Sequence, residues 1–317
     1  MQKMRETFEK HQISIYFSIV VLAVLFAVLV PGSDKFEYGI NPALAFMLFV
    51  TFLQVPLAEI GRALTRGRFL AALIITNFVA LPLFVAILTQ FLPINSLVRL
   101  GFLLVLLTPC IDYVVTFSHL GQADARLLLA ATPMLLIVQL LLLPIYLSLF
   151  LGYEAAILVQ RGPFIHAFVW LIAVPLLFAG LVELWAARSQ SGKKLSMILG
   201  LMPVPATALV LFMVVASMLP QLRSMIHEIV GVIPFYMLFA AVAPMIGWHI
   251  SRLFRLDAAA GRAIAFSAGT RNSLVILPLG LAVPGGVPVL PAIIITQTLV
   301  ELISELFYVR MIAKFGD

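Results

Sequence analysis

Few residues in this chain can do chemistry, and most of them stand inside long apolar runs. Cys110 and Asp112 share one run, Arg271 sits in another, and Gln297, Glu301 and Glu305 in a third. An Asp or Arg at the centre of a bilayer costs about 2.5–3.5 kcal/mol on insertion scales, so at that depth it implies a bound partner. Arg271 suits an anion or a counter-carboxylate, since its planar fork holds oxyanions bidentately. Asp112 suits a cation or a proton. A structural ion pair between Asp112 and Arg271 is the competing reading, and both hold if the pair opens in operation. Gln297, Glu301 and Glu305 recur at i, i+4 and i+8 and so share one helix face. Glu305 falls about 6 Å beyond Glu301, at 1.5 Å per residue. Glu301 therefore reads as a coupling carboxylate and Glu305 as a group near the interface. Thr116, Ser118, Thr270 and Thr298 add oxygen ligands, although a hydroxyl on a spanning helix commonly bonds its own backbone. Cys110 is the one cysteine and the one soft ligand. It is either an apolar filler or a thiol for a soft centre such as trivalent arsenic. The histidines show no metal-ligand spacing, so no metal centre is expected.

These groups have to be positioned by elements that composition identifies. Of 317 residues, 63% are hydrophobic and 11% charged, against about 25% charged in a soluble domain. A spanning helix needs roughly 20 apolar residues. Runs of that length occur at about 14–30, 40–58, 69–91, 98–120, 126–151, 163–185, 198–219, 229–250, 262–283 and 289–311. The expected fold is an all-α integral membrane protein of ten transmembrane helices, one transporter domain over 1–317. The charged start followed by an apolar run resembles a signal peptide. The run is too long and lacks an A-x-A site, so it reads as the uncleaved first span.

Basic residues gather in cytoplasmic loops. With the N-terminus inside, the cytoplasmic side takes Lys3, Arg5, Lys10, Arg62, Arg66, Arg68, Arg126, Arg188, Lys193, Lys194, Arg252, Arg255, Arg262, Arg310 and Lys314. Lys35, Arg99, Arg161 and Arg223 face out. The expectation is a cell (plasma or inner) membrane protein with both termini cytoplasmic. The same asymmetry accounts for the net charge of +6 without nucleic acid. The stretch 186–197 reads as a polar linker between halves.

Five spans plus five make the second half run inverted, giving expected repeats at 12–152 and 163–313. Inverted repeats with broken helices at matching positions are a common build for secondary transporters. Spans 4 and 9 match in this sense. Span 4 carries Thr108-Pro109-Cys110-Ile111-Asp112, where proline removes a donor and clashes with the preceding turn. Thr108 and Pro109 also read as N-cap and first residue of a new half-helix. Span 9 carries Gly269-Thr270-Arg271-Asn272-Ser273, with Asn272 or Ser273 as a cap. Backbone left unsatisfied in hydrocarbon costs several kcal/mol per group, so such breaks line a protein-enclosed cavity. Thr108, Cys110, Arg271, Asn272 and Ser273 are the expected substrate contacts. Asp112, Thr116, Ser118, Thr270, Gln297, Thr298 and Glu301 are the expected ion-coupling groups. Two kinked helices without a site are the plainer alternative.

Pro109-Cys110, Val114, Ser118, Leu120 and Asp124 follow the P-C-x3-V-x3-S-x-L-x3-D pattern of the arsenite-efflux permeases, within the bile acid:sodium symporter superfamily. Leu299-Val300-Glu301 resembles that family's L-I-E, and Asn272 one residue of its N-N pair. The resemblance implies ten helices, two inverted repeats, a panel-and-core arrangement, and crossed helices 4 and 9. It departs in helix 9. The family has a glutamate two positions after the second asparagine, where this chain has Leu274, and Arg271 replaces the first asparagine.

The expected function is a secondary transporter resembling the arsenite permeases, and the resemblance implies export of arsenite or a related small oxyanion by proton-driven antiport. A sodium-coupled organic-anion symporter is the alternative. Expected partners are the solute, H+ or Na+, and the lipid bilayer. No H-E-x-x-H, G-x-S-x-G or G-x-x-x-x-G-K-[ST] occurs, so no enzyme, cofactor or ATP hydrolysis is expected.

Overall fold

The computed structural model describes residues 2–54, 66–92, 95–110, 113–152, 165–166, 168–222 and 226–316. Among them all regular structure is helical, apart from one isolated antiparallel bridge between Pro109 and Arg271. Among the described residues six helices are long and apolar enough to cross a membrane: Gly67–Thr89, Met134–Leu151, Val169–Arg188, Pro203–Pro220, Ile229–Leu253 and Val289–Lys314. Ser14–Leu29 and Ser96–Leu106 are shorter apolar helices. Large apolar side chains point outward at helical spacing, as at Leu141, Ile145 and Leu149. A soluble monomer rarely exposes so large an apolar surface, whereas lipid covers it at no cost. The chain is a multi-pass membrane protein.

In chain order the main elements are α1 (Gln2–Leu29), α2 (Glu37–Phe52), α3 (Gly67–Thr89), α4 (Ser96–Leu106), α5 (Val114–Leu120) and α6 (Ala125–Leu151). They continue with α7 (Val169–Arg188), α8 (Gln190–Leu199), α9 (Pro203–Leu222), α10 (Ile226–Leu253), α11 (Ala258–Gly269), α12 (Ser273–Leu281) and α13 (Val289–Met311). Expected spans 4 and 9 are each divided, into α4 with α5 and α11 with α12, so neither is one membrane-length helix. The stretch expected as a polar linker is mostly the helix α8. Ser189, in extended conformation, accepts from the Ser191 amide and starts it.

Two features set the geometry of the interior. α3 contains a π turn at Thr76–Ala80, with Pro82 two residues beyond it. Proline has no N–H to give the carbonyl of Phe78, and the Tyr146 hydroxyl donates to that carbonyl at 2.5 Å. Such turns re-aim side chains, and here Asn77 is turned inward and fully buried. α10 and α11 pack at close range through Gly247, where a Cβ would lie 2.8 Å from Ala268 Cβ and 2.9 Å from Ile264 O. Small residues permit this approach between membrane helices. Gly247→Leu should therefore destabilise the protein by about 1–3 kcal/mol through overpacking. The check is a lowered melting temperature in detergent.

Candidate functional site

The two divided spans meet. α4 stops at Leu106 because Thr108 turns its hydroxyl back to the carbonyls of Leu104 and Val105, both at 3.0 Å, and Pro109 has no amide to continue the ladder. α11 stops at Gly269, whose added Cβ would meet Tyr308 Cε2 at 2.7 Å and Pro244 Cγ at 2.9 Å, so only glycine fits there. The unwound strands then satisfy each other's backbone. Cys110 N donates to Thr270 O (3.1 Å) and Asn272 N to Thr108 O (2.9 Å). Pro109 and Arg271 face each other in the bridge. This pairing, rather than side-chain capping, removes the cost of bare backbone at depth. Thr108 ends the first half-helix instead of capping the next. Asn272 makes no side-chain cap bond to α12, and its side-chain nitrogen has no hydrogen-bond partner among the described residues.

α13 brings its polar face to this crossing. Glu301 is 2% exposed. Its Oε2 accepts from the Arg271 backbone amide (2.7 Å) and from Gln297 Nε2 (2.5 Å), and its Oε1 from the Tyr113 hydroxyl (2.5 Å). Ser273 Oγ donates to Gln297 Oε1 at 2.8 Å, which fixes the amide so that its NH2 faces the carboxylate. Glu305, read from spacing as an interfacial group, is fully buried. The Thr270 hydroxyl lies 2.6 Å from its Oε1. Its Oε2 has no hydrogen-bond partner among the described residues.

The Arg271 guanidinium is also fully buried, and it turns away from this carboxylate pair toward neutral oxygens. Nη2 donates to Asn77 Oδ1 (2.9 Å), Ser267 O (2.6 Å) and Ala268 O (2.8 Å), and Nη1 to Leu106 O (3.3 Å). The Phe239 ring lies beneath it at 5.4 Å, within cation–π range. Among the described residues the crossing thus holds one guanidinium and two carboxyl groups. Ionised together, they leave a negative charge to be matched by an ion or a proton.

A cavity of about 40 Å³ abuts the crossing, lined by Gln12, Tyr16, Thr51, Gln54, Tyr113, Thr116 and Thr207 with Phe8, Gly200, Leu201, Pro203 and Val204. One buried water needs roughly 10–15 Å³ of such space, so the cavity holds on the order of three waters or one solute of a few heavy atoms. Gln12 is buried and its Nε2 has no hydrogen-bond partner among the described residues. Tyr113 belongs to both places, lining the cavity while donating to Glu301. A wider cleft at the loops, lined by Asp34, Lys35, Glu37, Tyr38, Asn41, Leu281 and Val287, touches none of the crossing residues.

Of the residues expected from sequence, Thr108, Cys110, Thr270, Arg271, Asn272, Ser273, Gln297 and Glu301 come together at the crossing. Thr116 lines the cavity. Ser118 and Thr298 return their hydroxyls to Val114 O and Ile294 O. Asp112 lies outside the described residues. Sequence reasoning passed over Asn77, Tyr113 and the cavity residues Gln12, Thr51, Gln54 and Thr207, and it placed Glu305 near the interface. Asn77 carried a usable signal, as an amide amid an otherwise apolar run.

A sequence profile described as the sodium bile acid symporter family matches residues 41–228. No curated protein matches the chain.

Proposed function

Since the chain belongs to the sodium bile acid symporter family, whose members are membrane transporters, we propose that it is an ion-gradient-driven carrier of a small hydrogen-bonding solute, with arsenite or a related small oxyacid as the lead substrate class. The observation that carries this reading is the cavity of about 40 Å³, lined in part by neutral amides and hydroxyls and joined to a buried carboxylate through Tyr113. Arsenous acid is neutral and has four heavy atoms, which suits that volume and those partners. The solute binds against Tyr113 and Thr116, with Thr108, Cys110, Asn272 and Ser273 at the adjoining crossing. Glu301 and Glu305 hold the coupling ion or proton, supported by Thr270 and Gln297, because the crossing carries more negative than positive charge. Arg271 serves the crossing rather than the solute in this state, since both its Nη atoms donate internally and only Nε has no partner among the described residues.

The architecture proposed for this work has ten spans in inverted repeats at 12–152 and 163–313. It lies in the plasma or inner membrane with both termini cytoplasmic. It is supported by the two divided spans meeting at one depth and by the distribution of basic residues. A sodium-coupled organic-anion symporter is the second reading, favoured by the family match itself. The two separate in proteoliposomes given either a pH gradient or a sodium gradient. Gradient-driven movement of arsenite with no uptake of a bile-acid-sized anion is expected. Sodium-driven uptake of the large anion, with arsenite ignored, would replace the first reading by the second.

A further inference from the structure

We infer that the Arg271 guanidinium is a tethered cation, filling an oxygen cage at the crossing that would otherwise take a free monovalent cation. Among the described residues its acceptors are Asn77 Oδ1 and the main-chain oxygens of Leu106, Ser267 and Ala268. Three of the four come from the last turns of half-helices, Leu106 from α4 and Ser267 and Ala268 from α11. Each helix C-terminus carries roughly half a negative charge and carbonyls without intrahelical donors. Here two such ends converge on one point from matching spans. In discontinuous membrane helices, C-terminal ends and unwound carbonyls are the groups that coordinate sodium.

Asn77 completes the cage, and its placement is specific. The π turn aims it inward, and its Nδ2 donates to Leu73 O (3.1 Å) and Ser267 Oγ (3.0 Å), which leaves Oδ1 facing the guanidinium. Among the described residues the cage is therefore made of neutral oxygens in a fully buried setting, and the charge that satisfies them is covalently attached. Arginine stays ionised under all physiological conditions. A cation held this way does not dissociate as the protein cycles. The ion that comes and goes is then left to Glu301 and Glu305, and on this last point the inference rests on the transporter reading above.

The test is read as thermal stability of the purified full-length protein in detergent, so it can fail while transport stands, and transport can fail while it stands. Arg271→Ala empties the cage. In choline chloride its melting temperature should fall several degrees below wild type. Millimolar guanidinium chloride or sodium chloride should restore much of that loss with a saturable dependence, as a ligand that binds the folded state must. Wild type should gain no such increment from guanidinium. A role for Arg271 in packing alone predicts a loss that neither cation repairs, and that result overturns the inference. Arg271→Lys covers the case in which Arg271→Ala does not survive extraction, because the ammonium is a point cation on a comparable stem. It should melt close to wild type and gain nothing from guanidinium. A lysine variant that unfolds, or that responds to guanidinium as the alanine variant is expected to, also overturns it.

Discussion

Glu301→Gln should reduce gradient-driven uptake by about two orders of magnitude or more while leaving the protein folded. The carboxylate receives the Arg271 amide, Gln297 Nε2 and the Tyr113 hydroxyl at 2.5–2.7 Å. Hydrogen bonds to a charged acceptor are worth about 1.5–3 kcal/mol each. Glutamine keeps one acceptor oxygen and turns an NH2 toward at least one of these three donors. The Tyr113 hydroxyl can accept from that NH2 and turn its own proton to Arg271 O, so the fold stands. Three hydrogen bonds to a charged group become neutral ones, a loss of about 3 kcal/mol or roughly 100-fold. The substitution also removes a group able to gain and lose charge, so the residual uptake should no longer respond to the driving gradient. Uptake per inserted transporter in proteoliposomes, with size-exclusion profiles as the check on folding, measures both effects. Unchanged uptake at every pH and sodium level would remove Glu301 from the coupling site. Glu305→Gln is the informative partner, since its Oε2 has no partner to lose among the described residues.

How much of this was legible beforehand depends on the kind of interaction. Apolar run length marks a membrane span because hydrocarbon thickness is fixed. Where helices are divided, at Pro109 and at Gly269–Ser273, breaker residues stood at matching depth. The i, i+4 step from Gln297 to Glu301 is a within-helix relation, and spacing carried it directly. Relations between helices, apart from the crossing that the family resemblance implied, were not legible. Thr108 and Asn272 looked like caps because a capping residue and a residue in a crossed strand share the same composition. Main-chain pairing decided between them, and main-chain atoms are common to every residue type. Arg271 invited an anion because its visible candidates were carboxylates. Among the described residues its acceptors are an amide oxygen and three backbone carbonyls, two of them in its own preceding turn. Glu305 was assigned to the interface by counting along a straight helix, but what buries it is the packing of α11 and α13 around Thr270. Tyr113 gave no signal, since one tyrosine beside an apolar segment is ordinary in a membrane protein.

That same tyrosine carries the last expectation. Its hydroxyl lies 2.5 Å from Glu301 Oε1 and 3.3 Å from Arg271 O, and its ring lines the cavity. It connects the place where a solute fits with the group where charge is held. A solute that hydrogen-bonds to this oxygen changes how strongly the hydroxyl donates to Glu301, and a change at Glu301 alters the cavity wall. Tyr113→Phe removes that link and leaves the ring, including its edge contact with Phe117 at 6.1 Å. Loss of one charge-assisted hydrogen bond corresponds to roughly 1.5–3 kcal/mol, or about 10- to 150-fold. Because the oxygen faces both sites, the loss should divide between them. Solute affinity should weaken, and the dependence of that affinity on the coupling ion should shrink. The measurement is solute binding to purified protein at two concentrations of the coupling ion, for wild type and Tyr113→Phe. Weaker binding with the ion dependence intact would make Tyr113 a cavity wall alone. If the ion dependence falls together with affinity, the phenol is the contact through which the two sites act on each other.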